Sequence, residues 1–181
     1  MKWLIISVLT FSFFFTLDTA NSYVLYGYKW KHPVTYCSDP DEVTAMKMWL
    51  NISGLQDGGV SSTPDIGCVH EQLSPGEGGY AQLNADPVSG SMNSCMIHIN
   101  TLWSGLLAWV HETGHCLGLA HSCEMGQRDC TLLERQAIMA WDGGFAGINS
   151  DDIAAIQALY GPYIPPAPAF FKLVVPNASR D

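Results

Sequence analysis

His111-Glu112-Thr113-Gly114-His115-Cys116-Leu117-Gly118-Leu119-Ala120-His121 reads H-E-x-x-H-x-x-G-x-x-H. On a helix, histidines four residues apart project from one face, one turn above the other. Two imidazoles so placed can hold one metal ion. Gly118 can take the left-handed conformation that ends a helix and turns the chain sharply, which returns His121 to the same ion as a third ligand. Three protein nitrogens leave one coordination position for water, the mark of a catalytic rather than a structural zinc. Zinc lowers the pKa of that water to roughly 7. Glu112, between the two helical ligands, is badly placed to be a fourth. Its expected role is to take the water's proton and pass it to a leaving amine. A bare H-E-x-x-H also arises by chance on a helix with a solvated Glu and two ordinary histidines. The added Gly and third His at fixed spacing weigh against that.

The longer pattern resembles the metzincin signature. Ser122, directly after the third histidine, resembles the matrixins, the family of the matrix metalloproteinases. The flank Leu102 to Val110 is an apolar run into the motif, as in a buried active-site helix. Met139 stands where that family has its Met-turn, whose thioether packs beneath the three imidazoles. The resemblance gives it a supporting role, not a ligating one. Ala140 to Ile148 is then expected to form part of the wall of the S1′ pocket. Trp141 stands two residues after Met139, where astacins and serralysins often have tyrosine, which again favours the matrixins. Asn149 to Gly161 resembles the family's closing helix, with the pattern D-D-I-x-x-I-Q-x-L-Y-G. Ser150 is its expected N-cap, Asp151 and Asp152 suit the helix N-terminus, and Gly161-Pro162 ends it. That helix is expected to do no chemistry.

Further upstream, Tyr28 to Tyr36 resembles the first strand of matrixin catalytic domains. Ser38 to Glu42 reads as a helix start, with a capping side chain, Pro and acidic residues in the first turn. Val43, Met46, Trp49 and Leu50 follow at helical spacing. Gln56 to Asp65 reads as a Gly/Ser-rich loop. Strand-like runs follow at 65–70, 79–84 and 94–100. The resemblance puts the last of these at the sheet edge above the cleft, where an extended peptide can add as an extra strand. The implied fold is α+β, a matrixin-like twisted mixed sheet of about five strands with three helices. The active-site helix runs below the cleft, and a small C-terminal subdomain begins after Gly118.

Many matrix metalloproteinases also hold a structural zinc through three His and one Asp. His98 matches the strand histidine, but Gln82 stands where another belongs, and the remaining loop has no clear counterpart. One catalytic Zn2+ is therefore expected and no structural zinc, with calcium left open. His32, His70 and His98 read as ordinary strand or loop histidines.

Residues 1–22 read as a secretory signal, with Lys2, the apolar run Leu4 to Leu17 and small residues at Ala20 and Ser22. The alternative is a membrane anchor, but the run is shorter than the roughly 20 residues that span a bilayer. The expected organisation is a signal at 1–22, a catalytic domain at 23–161 and a Pro-rich tail at 162–181. The formal net charge is −9, which argues against nucleic acid as a partner. Six cysteines in a secreted chain point to three disulfides out of fifteen connectivities. Cys123–Cys130 is the preferred pair, and Cys95 is a candidate partner for Cys116. Thiolate ligation of zinc by Cys116 competes with that, but three histidines already fill the ligand set. Asn51-Ile52-Ser53 and Asn177-Ala178-Ser179 are glycosylation sequons by pattern.

The implied activity is extracellular, zinc-dependent hydrolysis of internal peptide bonds in protein or peptide substrates. Between the signal and the first strand there is no room for the family's cysteine-bearing propeptide, which leaves two alternatives open: an enzyme made active, or one restrained by a separate protein inhibitor. The chain is expected to be a monomer without a stable membrane anchor. Two other classes compete: a catalytically silent zinc-binding module, against which the intact Glu112 argues, and a disulfide-stapled structural domain with incidental histidines. Metal content and peptide cleavage separate the three.

Overall fold

The computed structural model describes residues 23–102, 105–123, 130–141 and 147–165. The signal, most of the tail, the centre of the expected pocket wall and the loop 124–129 lie outside the described residues, as does Trp103 of the motif's flank.

The elements in order are β1 (Val34–Tyr36), α1 (Pro40–Leu50), β2 (Asp57–Val60), β3 (Ile66–Glu71), β4 (Gly79–Asp86), β5 (Ser91–Asn100), α2 (Leu106–Cys116), α3 (Leu132–Arg135) and α4 (Ser150–Tyr160). The strands form one five-stranded sheet in the order β2-β1-β3-β5-β4. Pairs β1/β2, β1/β3 and β3/β5 are parallel, and β4/β5 is antiparallel. Parallel neighbours need a crossover, and α1 supplies the one between β1 and β2. The antiparallel pair needs only a turn. There Asp86 accepts from Val88 N and from the Ser89 hydroxyl.

This is the expected α+β mixed sheet, with two changes inside it. The stretch read as a Gly/Ser-rich loop contains β2. Its glycines have little strand propensity, but Gly58 lies so close to the Val34 backbone that a Cβ there would come within 2.8 Å of Val34 C and O. Gly59 follows with φ +79°, beside a register shift in β1. Tertiary pairing thus makes a strand of a segment without local preference for one. Second, the run 94–100 belongs to β5, an inner strand, whereas the edges are β2 and β4, of which β4 lies beside β5. The edge role expected of residues 94–100 falls to residues 79–86.

Alternation decides which face of β5 carries the core. Cys95, Ile97 and Ile99 are buried, while Met96 and His98 point to the other face. Helices α1 and α2 cover the buried face. Met46 and Trp49 of α1 meet Trp109 and Val110 of α2 in the core cluster, together with Ile66, Ile97 and Ile99. Two of the three indoles that the core encloses find acceptors, Trp49 Nε1 donating to Val110 O and Trp30 Nε1 to Cys116 O, each at 2.9 Å, whereas Trp109 Nε1 has none among the described residues. Buried indoles usually find such partners.

Helix ends follow their side chains. Asp39 caps α1 by accepting from Asp41 N. The cap of α4 is Asn149, one residue before the expected Ser150. Its side chain accepts from Asp151 N and Asp152 N, and the Asp152 carboxylate accepts from Asn149 N, a complete capping box. α3 is a fourth, one-turn helix beyond the three expected. It is started by the capping box of Thr131 and Glu134. Three disulfides join Cys37–Cys68, Cys95–Cys116 and Cys123–Cys130. Both pairings favoured from the sequence are present, so the Cys116 sulfur is not available as a ligand.

Candidate metal centre

α2 carries His111, Glu112 and His115, and all three are buried. The helix stops at Leu117. Gly118 follows with φ +99°, and Leu119 N reaches back to Gly114 O at 3.1 Å. The N-terminal segment then holds the reversed chain, with Tyr26 N donating to Gly118 O and Ala120 N to Val24 O. This hairpin-like exit brings His121 back over the end of α2.

The three Nε2 atoms converge. His115 Nε2 lies 3.1 Å from that of His111 and 3.1 Å from that of His121, and His111 and His121 are 3.2 Å apart. On the far side of the rings, His111 Nδ1 is 2.6 Å from Ile138 O and His115 Nδ1 is 2.8 Å from Leu119 O. A carbonyl only accepts, so each of these Nδ1 atoms carries the hydrogen. In the neutral tautomer each Nε2 lone pair then faces the shared point. Burial lowers the pKa of His111, pushes His115 down to about 3 and pushes His121 down to about 4; the repulsion that a protonated His111 would exert is the next cause for the latter two. With their hydrogens on Nδ1, His111 and His115 have no hydrogen bond to offer one another through Nε2. The three imidazoles fit one zinc ion at roughly 2.0–2.1 Å from each nitrogen. Among the described residues, this triad is the one group of three or more His, Cys, Asp or Glu side chains close enough to share an ion.

Glu112 sits beside the triad on α2. Burial pushes its carboxyl up to about 8, and the nearby Glu77 adds to the rise. The free strand β4 passes close: a Cβ on Gly79 would lie 3.1 Å from Glu112 Cγ. The edge strand therefore begins next to the carboxylate. Met139 is buried, and its thioether sulfur lies against Gly114, where a Cβ would overlap it. Gly114 stands between Glu112 and the second histidine, so the Met139 side chain supports the helix directly under the site.

Two residues of the site escaped the sequence-based reading. Asp152, on the helix expected to do no chemistry, accepts from Ile138 N at 2.9 Å and Met139 N at 3.1 Å, besides Asn149 N at 2.8 Å. It thus ties α4 to the turn whose carbonyl anchors His111. Burial raises its pKa despite those three N–H groups. The paired aspartates at a helix start were the available signal, but they also suit an ordinary cap. The other is Glu42 of α1, fully buried and 2.7 Å from the Thr113 hydroxyl. Its place in the first turn of α1 reads as an ordinary acidic helix start and gives no sign of this contact. The remaining histidines lie elsewhere: His98 pairs with Glu71 at 2.6 Å and stacks on Tyr80, His70 meets Asp39 at 2.9 Å, and His32 lies 3.9 Å from Asp65.

A family model described as Matrixin matches residues 38–161. Matrix metalloproteinase-C of Caenorhabditis elegans is 31% identical over 137 residues, a stretch covering 65% of this chain and 24% of that protein. The chain thus spans about a quarter of the length of the curated relative it matches.

Proposed function

From the premise that the chain belongs to the matrixin family, we propose that it is a secreted zinc endopeptidase, with His111, His115 and His121 holding the ion. The convergence of three neutral Nε2 atoms, two of them fixed by carbonyls behind the rings, carries this reading. The proposed organisation is a signal at 1–22, a catalytic domain at 23–161 and a tail at 162–181. Among the described residues no helix is long and apolar enough to cross a membrane.

When bound, zinc supplies Lewis acidity, which makes hydroxide available near pH 7 and polarises a carbonyl. The chain supplies the rest. Glu112 is the general base: a cation held by the three histidines would favour its ionised form over the protonated one that burial alone favours, and it takes a proton from water and returns it to the departing amine. Its burial excludes bulk water from that transfer. An extended substrate strand lies along the free edge of β4, with main-chain hydrogen bonds setting its register, and Gly79 keeps that edge open beside Glu112. Gly118 and Met139 serve as support, the first by turning His121 into place and the second by packing under α2.

The test is cleavage of denatured casein or gelatin by the chain from about Tyr23, with and without a zinc chelator, beside Glu112→Ala. The wild type is expected to cut and the chelated enzyme to stop. Glu112→Ala should lose activity of order 10²–10⁴-fold while still binding zinc. Folded, zinc-loaded wild type that cuts no extended substrate would instead favour a binding module.

A further inference from the structure

Two of the three imidazoles are anchored from behind by main-chain carbonyls, Ile138 O for His111 and Leu119 O for His115. His121 is held differently. Its hydrogen-bond-distance neighbours are the other two histidines, through Nε2, and no acceptor faces its Nδ1 among the described residues. It is also the most exposed of the three. What packs on it is Trp141, with ring centroids 4.7 Å apart and planes at 88°. This is the edge-to-face arrangement that aromatic rings prefer.

The backbone builds this contact. Ser122 N donates to Met139 O at 3.0 Å, Trp141 N donates to Cys123 O at 3.3 Å, and Cys123 bridges Ala140 in parallel register. The chain leaving His121 therefore runs beside the chain leaving Met139, and the disulfide to Cys130 pins the first of them. Trp141 falls next to His121 by register. It nevertheless stays 57% exposed, so core burial does not account for a residue of this size here.

We infer that Trp141 is the positioning residue of His121, standing in for the carbonyl anchor that the other two ligands have. The indole restricts rotation of the imidazole and shields one of its sides from water, so that Nε2 stays aimed at the shared point. Resting on the zinc reading of the triad, this makes metal residence time the quantity that Trp141 sets. Groups that orient metal ligands from outside typically change metal affinity 10–100-fold.

The experiment follows zinc release from the zinc-loaded chain into excess chromogenic chelator, for wild type, Trp141→Ala and Trp141→Phe, with the melting temperature of each metal-free form. Trp141→Ala should release zinc roughly tenfold faster. Trp141→Phe should restore slow release, because a phenyl ring keeps the edge-to-face contact. All three metal-free melting temperatures should agree closely, since the side chain is mostly exposed. Release from Trp141→Ala at the wild-type rate overturns the inference, as does a phenylalanine variant as fast as the alanine one. Faster release that comes only with an equally weakened metal-free fold also overturns it. A wild type that takes up no zinc removes the reading of the triad itself, and the inference with it.

Discussion

Gly118 answers two demands at once. Its φ of +99° is costly for any residue with a Cβ, and a Cβ there would overlap the carbonyl oxygen of Tyr28. Flexible neighbours can shift, but a main-chain oxygen held in the fold cannot do so cheaply. Gly118→Ala should therefore cost about 2–4 kcal/mol, read as a lower urea midpoint, and should weaken zinc binding because His121 depends on this turn. An unchanged midpoint would mean that the turn is softer than its geometry implies. Asp152 makes a comparable case without strain. Its carboxylate accepts from three backbone N–H groups. Asp152→Ala leaves them without that acceptor, at about 1–3 kcal/mol for a buried unpaired group. Asp152→Asn keeps one accepting oxygen and should lose less. Zinc affinity should follow the same order, because the turn held by Asp152 carries the Ile138 carbonyl. If both variants bound zinc like wild type, the link from α4 to His111 would be wrong.

Between elements, the α1–α2 contact contains a proton that geometry requires. The Thr113 hydroxyl has one hydrogen but two acceptors at 2.7 Å, Glu42 Oε2 and Trp109 O. Both contacts are hydrogen bonds only if Glu42 is protonated. The carboxyl then donates to Thr113 Oγ1, and Thr113 donates to Trp109 O. Burial, with a smaller push from Asp39, raises the Glu42 pKa to about 8 even though the Thr113 contact lowers it. The folded state thus holds a proton that the unfolded chain releases at about 4.5. The stability from this proton is full below about pH 4.5, falls as pH rises, and is gone above about 8. A loss of a few kcal/mol over that window is expected. In Glu42→Gln an amide N–H can replace the carboxyl donor. Urea unfolding at several pH values should give the variant a flatter decline and make it the more stable form near pH 8.5. Equal slopes for the two proteins would show Glu42 to be ionised in the fold.

At the scale of the whole molecule, one of the three disulfides binds the metal centre to the sheet. Cys95–Cys116 joins β5 to the last residue of α2, one position beyond His115, with a separation of 21 residues. Closing a loop of that size removes unfolded-state entropy corresponding to about 3 kcal/mol. The double variant Cys95→Ala/Cys116→Ala should melt about 10 °C lower in calorimetry. The N-terminal segment also meets this helix end through Gly118, β4 passes Glu112, and the α4 carboxylate holds the turn behind His111. Loosening this bridge should therefore weaken zinc binding as well. A large loss of stability with unchanged zinc affinity would show that the site is held without the bridge.

The spacing of His111, His115 and His121 was sufficient from the sequence to bring three imidazoles together, because helical period and a glycine turn are short-range geometry. The same holds for the start of α1, for the runs that became β3 and β4, and for the pairing of Cys123 with Cys130 across a short loop. The Asn149 cap lay one residue from its expected place because Ser150 and Asn149 compete locally, and the capping box with Asp152 decided between them. Only the tertiary structure made a strand of the Gly-rich stretch at 57–60 and placed β4 rather than β5 at a free edge. It alone tied Asp152 to the turn above His111, buried Glu42 with its proton, and seated Trp141 on His121. These features depend on register and burial between segments far apart in the chain. Periodicity says which side of an element is apolar, but not which distant backbone that side meets.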